Sequence, residues 1–74
     1  MEKILGEIEK TQSVKLMVRL TEFKGRNLLD IRDFFKPKNG IDYTPTKKGT
    51  TIDIGRIPEL VTLLEQAEAE ALKK

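Results

Sequence analysis

Phe23, Lys24, Arg26, Arg32 and Phe35 fall within thirteen residues of one another, and Lys47 and Lys48 follow as a pair just before Gly49. Aromatic rings interleaved with cations suit the non-covalent capture of a polyanion that carries flat bases. Unpaired nucleobases stack on an aromatic side chain at about 1–3 kcal/mol per base, whatever their sequence. Lys and Arg neutralise phosphates and release counterions, so such binding weakens as salt rises. Bond-making chemistry is far less well served. The 74-residue chain has no Cys and no His, which removes thiol and imidazole nucleophiles, a histidine general base and the usual transition-metal ligands. Its twelve acids are scattered, and no cofactor motif accompanies them. The residues describe a binding protein without metal or cofactor rather than an enzyme.

Net charge adds to this only when it is divided along the chain. The formal total is +2, but residues 1–13 carry −1, residues 14–48 carry +5 and residues 49–74 carry −2. Positive charge is thus concentrated where strands are expected, as on an anion-binding face. A basic sheet with an ordinary solvated surface has the same profile, and charge by itself leaves both readings open.

The strands must position these residues. Val14, Leu16, Val18 and Leu20 alternate with Lys15, Met17, Arg19 and Thr21, the period-two pattern of a strand with one buried face. Lys24-Gly25 supplies a tight turn. Arg26 to Phe35 then reads as a strand with both faces partly apolar: Leu29, Ile31 and Phe35 on one, Leu28, Asp30, Arg32 and Phe34 on the other. Arg32 stands two residues from Asp30 on the same face, so an internal salt bridge and a phosphate contact are both open to it. Phe34 reads as core, whereas Phe23, beside a turn and two cations, reads as functional.

The remaining elements are shorter. Met1 to Gln12 is open to two readings, a helix with Ile4, Leu5 and Ile8 on one face or an irregular strand with Ile4, Gly6 and Ile8 on one face, and the strand is preferred. Lys36 to Gly40 reads as a turn, Ile41 to Thr44 as a short strand ended by Pro45, Thr46 to Gly49 as a basic loop and Thr50 to Ile54 as a further strand. Gly55-Arg56 breaks the sheet, and Pro58 suits the first turn of a helix that lacks a side-chain N-cap. Leu60, Leu64, Ala67 and Ala71 make a stripe wide enough to cover one sheet; Ile57, Val61, Leu63 and Leu72 exceed it and suit a second subunit. Lys73 and Lys74 complement the helix dipole. The expected fold is a single α+β domain over residues 1–74, a four-stranded antiparallel sheet followed by one C-terminal helix.

A domain this small buries only about 60% of its unfolded surface. Disulfides and transition metals are closed to it, so oligomerisation is the remaining way to reinforce the core. No apolar run approaches the ~18 residues of a membrane span, and no secretory signal opens the chain. A soluble, cytoplasmic, nucleic-acid-associated protein with no membrane partner is expected.

Phe23-Lys24-Gly25-Arg26, then Leu29-Asp30-Ile31-Arg32-Asp33-Phe34-Phe35, then Pro45-Thr46-Lys47-Lys48-Gly49, then Pro58-Glu59 resembles the positive cofactor four family, the C-terminal domain of a transcriptional coactivator with bacterial relatives. The four pieces occur in family order across residues 14–65. The resemblance implies a homodimer of four-stranded sheets, with the dimer contact at Leu60, Val61, Leu63 and Leu64, and single-stranded DNA bound with little sequence preference. It places stacking aromatics at Phe23 and Phe35 and groove cations at Lys24, Arg26, Arg32, Lys47 and Lys48. Arg19 and Lys15, on the same strand face, join them. Phe35 stands where family members often carry Trp, Leu20-Thr21 reads as an insertion, and Gly55-Arg56-Ile57 lengthens the turn before the helix. The competing readings are RNA as the ligand, or a protein-interaction module docking on the transcription machinery.

Overall fold

The regular alternation from Val14 to Thr21 forms a strand, as expected. The computed structural model describes residues 2–73; the expectations placed on Met1 and Lys74 lie outside them. β1 (Lys3–Glu9), β2 (Val14–Phe23), β3 (Arg26–Phe35) and β4 (Thr44–Asp53) pair antiparallel in the order β1-β2-β3-β4. A 3-10 turn (Ile54–Arg56) leads into α1 (Ile57–Leu72). The α+β class and the sheet-then-helix order are as the sequence predicts.

The β2–β3 hairpin closes at Lys24 (φ 52) and Gly25 (φ 79). Positive φ at both central residues is the type I′ geometry, whose twist matches that of the flanking strands. The ladder then runs unbroken from Phe23–Arg26 to Val14–Phe35. Leu20 and Thr21 pair with Leu29 and Leu28 inside it, so the expected insertion creates no bulge. β1 is irregular as expected, with a register shift between Ile4 and Gly6.

Two expectations fail on β4. Ile41 to Thr44 is not a strand: residues 36–43 form a turn and loop, closed by a Gly40 N–H donating to the Pro37 carbonyl at 2.8 Å. Nor is Thr46 to Gly49 a loop, because β4 runs continuously from Thr44 to Asp53. Pro45 is tolerated because β4 is an edge strand and needs no donor on its open side. Lys47 and Lys48 sit in a bulge, since β3 has one residue and β4 three between the Phe34–Pro45 and Arg32–Gly49 pairs. Thr46 fixes the bulge: its hydroxyl donates to the Asp33 carbonyl (2.9 Å) and accepts from the Lys48 N–H (3.1 Å).

The helix also departs from expectation. It starts with Pro in its first turn and without a side-chain cap, as predicted, yet none of its residues is buried. Its stripe does not cover its own sheet; α1 continues directly from the 3-10 turn and leaves Val61, Leu63, Leu64 and Leu72 exposed. Only Leu29, Asp30 and Phe34 are buried among the described residues. The accessible surface is 6113 Å², against about 4,650 Å² for a folded monomer of this mass. The radius of gyration is 14.3 Å, against about 11 Å for a compact chain of this length.

Candidate nucleic-acid interface

A two-residue turn fixes the register, and the register sorts the candidates by face. Phe23 pairs with Arg26, Arg19 with Asp30, Met17 with Arg32 and Lys15 with Phe34. These residues share one face of the sheet, the polar face. Val14 pairs with Phe35 and Leu16 with Asp33, on the opposite face. Phe23 and Phe35, expected in one groove, therefore point to opposite sides.

On the polar face, a shallow hollow of about 390 Å³ is lined by Phe23, Arg19, Arg32, Asp30, Leu28 and Thr51, among others. Phe23 is 62% exposed, and the Lys24 ammonium lies 5.3 Å from its ring centroid. The Arg26 guanidinium forms an ion pair with Asp53 across the end of β4. At the centre stands Asp30, only 2% exposed. It accepts from Arg19 Nε at 2.7 Å and from Arg32 Nε at 3.1 Å. Arg32 Nη1 also donates to the Thr46 carbonyl at 2.8 Å. Arg19 lies over the Phe34 ring at 5.2 Å, and Phe34 is buried as expected. The salt-bridge reading of Arg32 is realised, with Arg19 as a second partner. Two guanidinium groups around one carboxylate leave a net positive charge, held in place. Gly49 makes this possible: a Cβ there would come within 2.7 Å of the Arg32 Cβ and the Ile31 carbonyl oxygen.

Lys15 sits towards the far end of the same face. It is 3.0 Å from Glu7 and 4.6 Å from the Tyr43 ring centroid. The hydrogen bond to Glu7 holds its ammonium pKa above the ordinary lysine value, so it is fully charged at neutral pH.

On the opposite face, Phe35 (42% exposed) lines a second hollow of about 360 Å³ with Val14, Asp33, Thr46, Lys47 and Lys48. The bulge brings Lys47 and Lys48 to Phe35, the one grouping on this face that the sequence predicted.

The cations are unequal. Lys24, Lys47 and Lys48 form no ion pair among the described residues. Lys15 and Arg26 hold exposed carboxylate partners, weak surface pairs that a phosphate can displace. Arg19 and Arg32 are held by a buried carboxylate and are positioned rather than free. Sequence reasoning missed Tyr43, and missed Lys10, which pairs with Asp33 at 3.1 Å. A lone tyrosine between lysines 36, 38, 47 and 48 was the available signal. Among the described residues no acidic cluster is disposed to hold a metal, and no helix is long and apolar enough to cross a membrane.

The chain thus presents a four-stranded antiparallel sheet with a basic, aromatic face, trailed by one helix. The model of the Transcriptional Coactivator p15 (PC4) family matches residues 10–63, and the chain belongs to that family. Membership carries a DNA-binding, PC4-like role. Among solved structures, a PC4 homolog from Burkholderia pseudomallei superposes with a TM-score of 0.80 at 21% identity, covering 89% of this chain and 88% of that one. A second crystal form of the same protein gives 0.81 at 20% identity, covering 92% and 98%. A bacteriophage T5 homolog of the eukaryotic coactivator, implicated in recombination-dependent DNA replication, gives 0.59 at 22% identity, covering 99% and 76%. These likenesses show a shared fold. A comparison with curated proteins finds no match.

Proposed function

We propose that the protein binds single-stranded DNA without sequence preference, through the polar face of its sheet, as a homodimer. The observation that carries this is the pairing of an exposed stacking ring, Phe23, with prearranged cations on the same face, the Arg19–Asp30–Arg32 cluster. Stacking needs bare base faces, which a duplex hides, so the surface favours single strands or melted regions. No base-edge reader is needed, which accords with sequence independence. Phe35 with Lys47 and Lys48 offers a second contact region around the β4 edge.

The dimer rests on surface that the lone chain leaves bare. Leu60, Val61, Leu63 and Leu64 on α1 lie in a helix with no buried residue, and the surface of the lone chain far exceeds that expected of a monomer. The family description supports a role in transcription as coactivator or regulator. Stacking and phosphate contacts would also serve RNA, which a ribo-oligomer arm of the test separates.

Fluorescence anisotropy of labelled oligo-dT, its duplex and oligo-U at two salt concentrations tests the reading. The expected result is tightest binding to the deoxy single strand, weakening as salt rises. Equal affinity for duplex would reject the single-strand reading, and no binding even at low salt would favour a protein-docking module.

A further inference from the structure

Three segments converge at the Lys15 end of the polar face. The Lys36 N–H donates to the Ser13 carbonyl at 2.9 Å, and the Tyr43 hydroxyl lies 3.4 Å from the Gln12 carbonyl oxygen. The Tyr43 ring, half-buried, has the Lys15 ammonium 4.6 Å and the Lys36 ammonium 5.5 Å from its centroid. Phe23 with the single cation Lys24 forms a related ring–cation arrangement at the other end of the same face. Lys15 and Phe23 are eight residues apart on β2, a span of roughly 27 Å at about 3.4 Å per residue.

We infer that Tyr43, with Lys15 and Lys36, is a second base-stacking subsite for the same nucleic-acid strand. This deepens the single-strand reading and rests on it. The cation–ring contacts do not block the site. Lysine over this half-buried ring is no stronger a contact than a stacked base, so an incoming base displaces an ammonium, which then meets the adjoining phosphate. Phe23 and Tyr43 bracket the Arg19–Asp30–Arg32 cluster, so the strand is gripped at both ends and neutralised in the middle.

The chain supplies its own probe, having one tyrosine and no tryptophan. Oligo-dT is titrated into the full chain while tyrosine emission, corrected for absorption with free N-acetyltyrosinamide, is followed beside the anisotropy of labelled oligo. The expected result is quenching with the same midpoint as the anisotropy rise. Tyr43→Phe should bind within about twofold of the parent, and Tyr43→Leu at least about fivefold more weakly, with far-UV circular dichroism unchanged. Binding by anisotropy with unchanged emission would overturn the subsite and leave the single-strand reading standing. So would quenching without any loss in Tyr43→Leu, since the ring would then only pin the 36–43 loop. Absence of binding by anisotropy would overturn both. If Tyr43→Leu fails to fold, the emission of the parent chain decides.

Discussion

Arg19 Nε lies 2.7 Å from a carboxylate oxygen of Asp30, which is 2% exposed and also accepts from Arg32. One buried acid thereby sets two cations on the polar face. Removing it leaves both guanidinium groups without their partner. Because their side chains remain 25% and 21% exposed, water recovers part of the loss, and the cost falls below the 3–5 kcal/mol of a fully buried pair. Asp30→Ala should destabilise the fold by about 2–3 kcal/mol, read from the urea midpoint. An unchanged midpoint would show that the cluster does not order the arginines.

Phe23 and Phe34 should respond in opposite ways. Phe23→Ala removes an exposed ring, so stability should hold within about 0.5 kcal/mol. Affinity for oligo-dT should fall by about 5- to 150-fold. Phe34 is 8% exposed, and its truncation should cost about 3–5 kcal/mol of stability. Parallel anisotropy and thermal melts of the two variants separate the roles.

Lys47 and Lys48 form no ion pair among the described residues and stand on a bulge that faces Phe35. Replacing both with Ala should leave the melting curve in place and flatten the log–log salt dependence by up to about 1.4, at ~0.7 per phosphate contact on a single strand. An unaltered slope would remove the bulge from the interface.

The leucines of α1 should matter only between subunits. Leu63 and Leu64 are exposed in the single chain, so Leu63→Glu with Leu64→Glu costs that chain no buried contact. The parent protein should sediment at twice 8.5 kDa, with a melting temperature that rises with concentration. The double variant should sediment as a single chain or unfold. A parent protein that sediments at 8.5 kDa at micromolar concentration would refute the dimer.

The β2–β3 hairpin was fully legible, because alternation from Val14 and the Lys24-Gly25 turn specify strand, face and register together. The same register shows that Phe23 and Phe35 occupy opposite faces, a consequence available from the two-residue turn alone. β4 was obscured by Pro45 and by the glycine at position 49, which mimic loop punctuation. Their physical reasons are tertiary: an open edge beside Pro45, and Arg32 packed where a Cβ would stand at Gly49. The helix itself was legible, but the expectation that its stripe covers the sheet failed, because periodicity gives the width of an apolar face and not the surface that covers it. Arg19 found Asp30 only through cross-strand pairing, which no local spacing displays.

Amide chemical-shift mapping on the isotope-labelled chain during titration with unlabelled oligo-dT tests the central claim most directly. The account predicts saturable shifts at Lys15, Arg19, Phe23, Lys24, Arg26 and Arg32, with further changes around Phe35, Lys47 and Lys48. Shifts confined to α1, or a spectrum unmoved at saturating oligo and low salt, would contradict it.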